Sequence, residues 1–186
     1  QGPDVIRLLR QTLLTSRYPG TPIVLDADAL NIMSTIPEWW MGMNCQAVLT
    51  PHPGEMSRLT GMTTEEINAT RLQTTRVCAV QWNKSVALKG AYTVVSSPQG
   101  YVRVSPFANP GLASAGTGDV LAGVTAGLLA QGLSTFDAVS CAVYIHGAAG
   151  EQVRLVMGDT GMLASDLLPR LPIVIKQVKE GAISFD

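Results

Sequence analysis

The chain lacks paired cysteines. Its three cysteines, Cys45, Cys78 and Cys141, are widely spaced and odd in number. That excludes a disulfide framework and a CxxC zinc site, and points to reduced thiols in a cytoplasmic protein. Histidine is scarce too: His52 and His146 are the only two, far apart in sequence, so no metal site built from protein ligands is expected. There is no basic run, and the formal net charge is -1. Neither nucleic acid nor a membrane surface is therefore an expected partner. Apolar stretches are broken by Gly, Thr and Ser before the roughly 20 residues of a membrane span. A signal peptide is not expected, because Asp4, Arg7 and Arg10 fall within a helical pattern at the start. Charge is low overall, at 15% against 46% hydrophobic residues, which implies much buried surface. A length of 186 residues suits one domain around one core.

What is present is an alternation of short apolar runs and helical patterns. Val5, Leu8, Leu9, Thr12 and Leu13 recur at helical spacing, ended by Pro19-Gly20. Ile23-Val24-Leu25 and Ala47-Val48-Leu49 have the size of buried strands. Polar residues follow each, and then a helix: one through Leu30 and Met33, another over 55–59. A longer helix is expected from Thr64 to Trp82, capped by Thr63 or Thr64. Ser85–Leu88, Tyr92–Val95 and Tyr101–Val104 read as strands with Gly90 and Ser97-Pro98-Gln99-Gly100 between them as turns. After Gly118 the pattern is helical up to Gly132, then again over Ala138–Glu151, from Ala164, and around Ile173–Val178. Strands that end in polar residues and lead into helices are the pattern of an open α/β sheet, which binds ligands at that edge.

Four constellations carry possible chemistry. Gly116-Thr117-Gly118-Asp119 opens an apolar helix. Its glycines let backbone N–H groups converge on an anion, and a first-turn carboxylate can serve as base beside a phosphoryl group. Alternatively Asp119 is a helix-terminal carboxylate and the glycines merely make a turn. Asn109-Pro110-Gly111 and the small residues Ala113, Ser114 and Ala115 favour close approach by a ligand. Lys89-Gly90-Ala91-Tyr92-Thr93 ends one strand and begins the next, so Lys89 either meets phosphate or is an exposed hairpin lysine. In Thr50-Pro51-His52-Pro53-Gly54-Glu55, two prolines fix the backbone around His52. His52 can bind a ligand there and Glu55 can hold water or metal, or the segment is a structural loop. Asp26-Ala27-Asp28-Ala29-Leu30-Asn31 could coordinate Mg²⁺ through water or bind a polar substrate, or Asp28 caps a helix while Asp26 satisfies turn amides. Trp39-Trp40 with Met41 and Met43 reads as core or subunit contact, and His146 as a satisfied helix-face histidine.

Together these motifs resemble the NAD(P)H-hydrate dehydratase family, the carbohydrate-kinase-like domain of the YjeF proteins. The matching stretches are Asp26–Asn31, Thr50–Glu55, Lys89–Thr93, Asn109–Ala113, Gly116–Gly123, His146–Gly150 and Ala164–Asp166. The resemblance implies a ribokinase-like three-layer α/β/α fold with a mainly parallel sheet, and a single domain over residues 1–186. It implies ADP- or ATP-dependent dehydration of hydrated NADH or NADPH, with Mg²⁺. It places Asp119 as base and substrate contact, Gly116, Thr117 and Gly118 as anion hole, and Gly118 beside the nucleotide as well. Lys89, Gly90, Ala91, Tyr92, Thr93 and Asn109 fall on the nucleotide side; His52 and Asp26 fall on the substrate side. Family domains are longer on the N-terminal side, so part of the pocket is expected outside this chain, in a longer polypeptide that can include an epimerase domain. A homo-oligomer, often a tetramer, is also implied. The family's run before the anion hole often has two glycines, where this chain has Ala113-Ser114-Ala115-Gly116. Two other readings use the same turn: a ribokinase-like kinase of a vitamin-precursor alcohol, and a non-catalytic nucleotide-binding module.

Overall fold

The structure, a computed structural model, describes residues 3–14 and 20–181. Five strands form one sheet in the order β1-β2-β3-β4-β5, with β1 at Ile23–Leu25, β2 at Ala47–Leu49, β3 at Ser85–Leu88, β4 at Val94–Ser96 and β5 at Val102–Val104. β1, β2 and β3 are parallel, in the register Leu25↔Leu49 and Leu49↔Val86. β4 and β5 continue the sheet as antiparallel neighbours. The first three strands need helical crossovers and the last two only turns, as the spacing of the apolar runs predicts.

Strand side chains alternate between two helical layers. Leu25, Ala47, Leu49, Val86 and Leu88 face one cluster with Leu30, Trp39, Met56, Ile67 and Trp82. Val24, Val48, Ala87 and Val95 face the other, with Leu121, Leu129, Ala138 and Val139. The first layer holds α1 (Pro3–Leu14), α2 (Ala27–Met33), α3 (Trp39–Gly42), α4 (Pro53–Thr60), α5 (Thr64–Ala69) and α6 (Arg71–Trp82). The second holds α7 (Thr117–Ala130) and α8 (Thr135–Met157), with α9 (Ala164–Leu167) and α10 (Leu171–Glu180) packed outside α8. The result is the three-layer ribokinase-like arrangement. Trp39, Trp40 and Trp82 stack edge to face and tilted in the first layer; Trp39 and Met43 are core, whereas Trp40 is half-buried and Met41 exposed.

Several boundaries differ from expectation. The helix read over 64–82 breaks at Thr70, whose φ of -128° and ψ of 30° interrupt it. Its hydroxyl donates to the Glu66 carbonyl at 2.7 Å and meets the Thr74 hydroxyl at 2.9 Å, local bonds that compete with the helical ladder. Thr63, not Thr64, caps the first piece, in a capping box with Glu66. Tyr92 and Thr93 precede β4 rather than begin it, because Tyr92 is left-handed, with φ 53°, and its N–H bonds to the Phe107 carbonyl. α8 begins earlier and ends later than 138–151, with Ser134 as its cap. Asp28 does not cap α2; Asp26 holds that position but makes no side-chain cap bond. Pro19, expected to end α1, lies outside the described residues.

Candidate active site

Parallel packing brings three strand ends to one edge. Asp26 follows β1, the Thr50–Glu55 segment follows β2, and Lys89 follows β3. Lys89 is anchored there by its N–H, which bonds the Pro51 carbonyl at 2.8 Å. Its ammonium lies 2.7 Å from Asp26 Oδ1 and 3.7 Å from Glu55 Oε2. Asp26 leaves the α2 cap unfilled because a charged donor is within reach, and a charge-assisted bond is the stronger interaction. Sequence reading missed Arg71, whose guanidinium donates to the Leu88 and Lys89 carbonyls at 2.9 and 3.2 Å. Gly90, with φ +135°, lies against it: a Cβ there would sit 3.2 Å from the guanidinium nitrogens. Burial lowers the Arg71 pKa.

The loop before α7 forms the opposite wall. Asn109 caps a 3₁₀ turn, Pro110–Ala113, by accepting the Gly111 N–H at 2.9 Å. The Thr117 hydroxyl turns inward to the Leu112 and Ser114 carbonyls, at 2.7 and 2.8 Å. What this turn can offer an anion is therefore backbone: the N–H groups of Gly118 and Asp119 have no acceptor among the described residues. Gly116 starts the helix at φ +85°, a conformation that suits glycine. Gly118 faces the charged pair across the site: a Cβ there would lie 3.5 Å from Lys89 Nζ and 3.6 Å from Asp26 Oδ2. The helix dipole adds positive potential at the same point.

His146, on α8, lies behind this turn and is buried. Its Nε2 is 2.9 Å from the Thr117 carbonyl. A carbonyl only accepts, so that nitrogen carries the proton. Burial holds the imidazole neutral, pushing its pKa down to about 4; the bond to Thr117 opposes this and the Lys89 charge adds to it. The reading of His146 as a satisfied helix histidine holds, and what satisfies it is the turn that opens α7.

A cavity of about 510 Å³ runs between these walls, lined by His52, Lys89, Gly90, Ala91, Thr93, Asn109, Thr117, Gly118 and His146 among others. Tyr92 points elsewhere and is exposed. Asp26 reaches the site through Lys89 rather than by lining the cavity. Asp119 is exposed and lines an adjoining concavity with Val120, Gly123, Val124, Leu168 and Leu171. Asp119 and the Lys89 side thus open onto neighbouring spaces separated by the α7 N-terminus. A larger concavity, about 660 Å³, lies at the opposite end of the strands around Trp40, Gln46, Lys84 and Phe136, and holds none of these residues.

The NAD(P)H-hydrate dehydratase family model matches residues 4–172. A bifunctional NAD(P)H-hydrate repair enzyme from Moorella thermoacetica is 45% identical over 180 residues, 97% of this chain and 33% of that protein. An ADP-dependent (S)-NAD(P)H-hydrate dehydratase from Neisseria meningitidis is 40% identical over 84% of this chain and 54% of its own length. Among solved structures, an ADP/ATP-dependent NAD(P)H-hydrate dehydratase from Bacillus subtilis, crystallised with ATP and Mg²⁺, superposes with a TM-score of 0.75 at 36% identity, covering 84% of this chain and 56% of that one. The chain thus spans from a third to about half the length of these relatives. With the match extending from α1 into α10 and through every strand of the sheet, the chain belongs to the NAD(P)H-hydrate dehydratase family.

Proposed function

We propose that this chain carries the dehydratase site of nicotinamide-cofactor repair, using ADP or ATP to return the S epimer of hydrated NADH or NADPH to the reduced cofactor. The observation that carries the reading is Lys89, held by Asp26, facing the unpartnered N–H groups of Gly118 and Asp119 across Gly118. That is a place for a transferring phosphoryl group between a cation and a helix N-terminus. Lys89, Gly90, Ala91, Thr93 and Asn109 take the nucleotide side. The buried Asn109 Nδ2, which has no partner among the described residues, supports a ligand acceptor there. Tyr92 contributes through its backbone in the same turn. Asp119, in the concavity beyond the α7 N-terminus, takes the dinucleotide side, and His52 meets the dinucleotide from the cavity that it shares with Lys89.

In the reaction the ring hydroxyl oxygen attacks the terminal phosphorus, the bond from that phosphorus to its bridging oxygen breaks, and Asp119 accepts the hydroxyl proton. The phosphorylated oxygen then leaves as phosphate, and loss of a neighbouring ring proton restores the double bond. Gly116, Thr117 and Gly118 shape the backbone that receives the phosphate oxygens. Mg²⁺ is commonly held by one or two carboxylates together with phosphates and water, and two carboxylates, Asp26 and Glu55, lie beside Lys89. Asp26 and Glu55 would reach the ion through water, and the ion would neutralise developing phosphate charge.

Cytoplasmic location is supported by the three free cysteines. Self-association, as in a tetramer, is supported by exposed Leu155, Val156, Met157, Leu163 and Leu168. The bifunctional character of the Moorella relative supports a second activity, such as an epimerase, in a longer protein. The test is recovery of NADH absorbance from its hydrate with ADP and Mg²⁺. Asp119→Asn is expected to abolish recovery and leave ADP affinity within about twofold. Turnover of a vitamin-type alcohol without NADH recovery would overturn the reading in favour of a kinase; nucleotide binding without turnover of either would favour a binding module.

A further inference from the structure

We infer that His52 meets its ligand only as an Nε2–H donor to a ligand oxygen, because its other ring nitrogen is consumed in holding α4. His52 Nδ1 accepts the N–H groups of Gly54 at 3.0 Å and Glu55 at 3.2 Å. A backbone N–H only donates, so Nδ1 carries its lone pair, and the single proton of the neutral ring resides on Nε2. The opposite tautomer would set an N–H against two N–H donors. The cap is reinforced from the other side, where Glu55 Oε2 accepts the His52 N–H at 2.8 Å and closes a capping box. Gly54 gives the ring room: a Cβ there would lie 3.0 Å from His52 Cε1.

The donor stays available. Glu55 Oε1, the nearest carboxylate oxygen, is 3.5 Å from Nε2, long for a hydrogen bond. The side chain is 51% exposed and lines the cavity that Lys89 and Gly118 share. A ligand oxygen, whether amide carbonyl, hydroxyl or phosphate, can accept from it. A proton cannot be passed to it at Nε2 while the cap stands, so His52 is a positioning donor and the base of the reaction is another group. The identity of the ligand as a hydrated nicotinamide dinucleotide rests on the function proposed above; the tautomer does not.

Three measurements test this. Long-range ¹H–¹⁵N spectra of the ¹⁵N-histidine-labelled protein, assigned with His52→Asn, are expected to show His52 protonated at Nε2; protonation at Nδ1 would overturn the inference. Asparagine is itself a strong cap but has no donor at the Nε2 position. His52→Asn is therefore expected to melt within about 1 °C of the wild type, whereas His52→Ala melts about 2–4 °C lower. His52→Asn is also expected to bind NADPH hydrate about 3- to 10-fold more weakly, with ADP affinity changed less than twofold. Hydrate affinity equal to wild type, or a melting loss matching His52→Ala, would overturn it. If the wild type bound no hydrate at all, the proposed function would fall, and the tautomer and the melting comparison would still decide this inference.

Discussion

Lys89 and Asp26, 63 positions apart in the chain, meet at 2.7 Å because the strands they follow flank β2 in parallel. Both side chains are mostly buried, so the pair is more than a surface contact. A double-mutant cycle of Lys89→Met and Asp26→Asn is expected to give a coupling of about 1–3 kcal/mol in urea unfolding. Lys89→Met alone should also weaken ADP binding by about tenfold or more. A coupling near zero would mean that the pair contributes nothing to stability.

Gly147 lies where α8 passes under Phe107. A Cβ there would overlap the Phe107 ring, and that ring lines the cavity that Lys89 and Gly118 share. Gly147→Ala would raise helix propensity in isolation, yet it is expected to destabilise the protein by about 1–3 kcal/mol through overpacking. ADP titration should show a parallel loss of affinity as the ring is pushed aside. A stabilised variant with normal ADP affinity would contradict the packing described here.

His146 makes stability depend on pH. The unfolded chain binds a proton on this ring below about 6.5, whereas the folded protein resists until about 4. Below 6.5 the unfolded state therefore binds more protons, and stability falls as pH falls through that window, by up to about 3 kcal/mol. His146→Gln keeps a donor for the Thr117 carbonyl and does not titrate. Urea midpoints from pH 7 to 4 should fall less steeply in the variant; identical slopes would show that the ring is not held neutral.

Gly116→Ala tests the turn itself. Alanine at φ +85°, with its Cβ 3.1 Å from Ala164 Cβ, should cost about 1–2 kcal/mol of stability. The strain falls two residues before the Gly118 N–H, in the same turn, so phosphate-dependent stabilisation by ADP should shrink too, measured as the melting shift at saturating ADP.

Much of the fold could be read in advance. The runs 23–25, 47–49 and 85–88 are strands as expected, because short apolar segments closed by polar residues have few other uses. The glycine turn before α7 was also legible, since its composition is local. What escaped was decided by partners far away in sequence. Asp26 reads as a residue that satisfies turn amides or as a ligand; its partner Lys89 lies 63 positions on. Arg71 gave no signal, because the carbonyls it binds are 17 and 18 residues downstream. Thr117 looked like an anion ligand, but its hydroxyl faces its own loop. The break at Thr70 lacks glycine or proline, so composition could not mark it.

The arrangement of strand ends has a kinetic consequence. Asp26, His52, Lys89, Gly118 and His146 come from five separate stretches joined only through the sheet and the α7–α8 pair. No single hairpin or helix can bring Asp26, Lys89 and Gly118 together, so much of the loop-closure cost of the topology precedes the complete ligand site. Ligand affinity should emerge late in refolding, in step with the last sheet contacts, and nucleotide added early should leave the folding rate nearly unchanged while slowing unfolding.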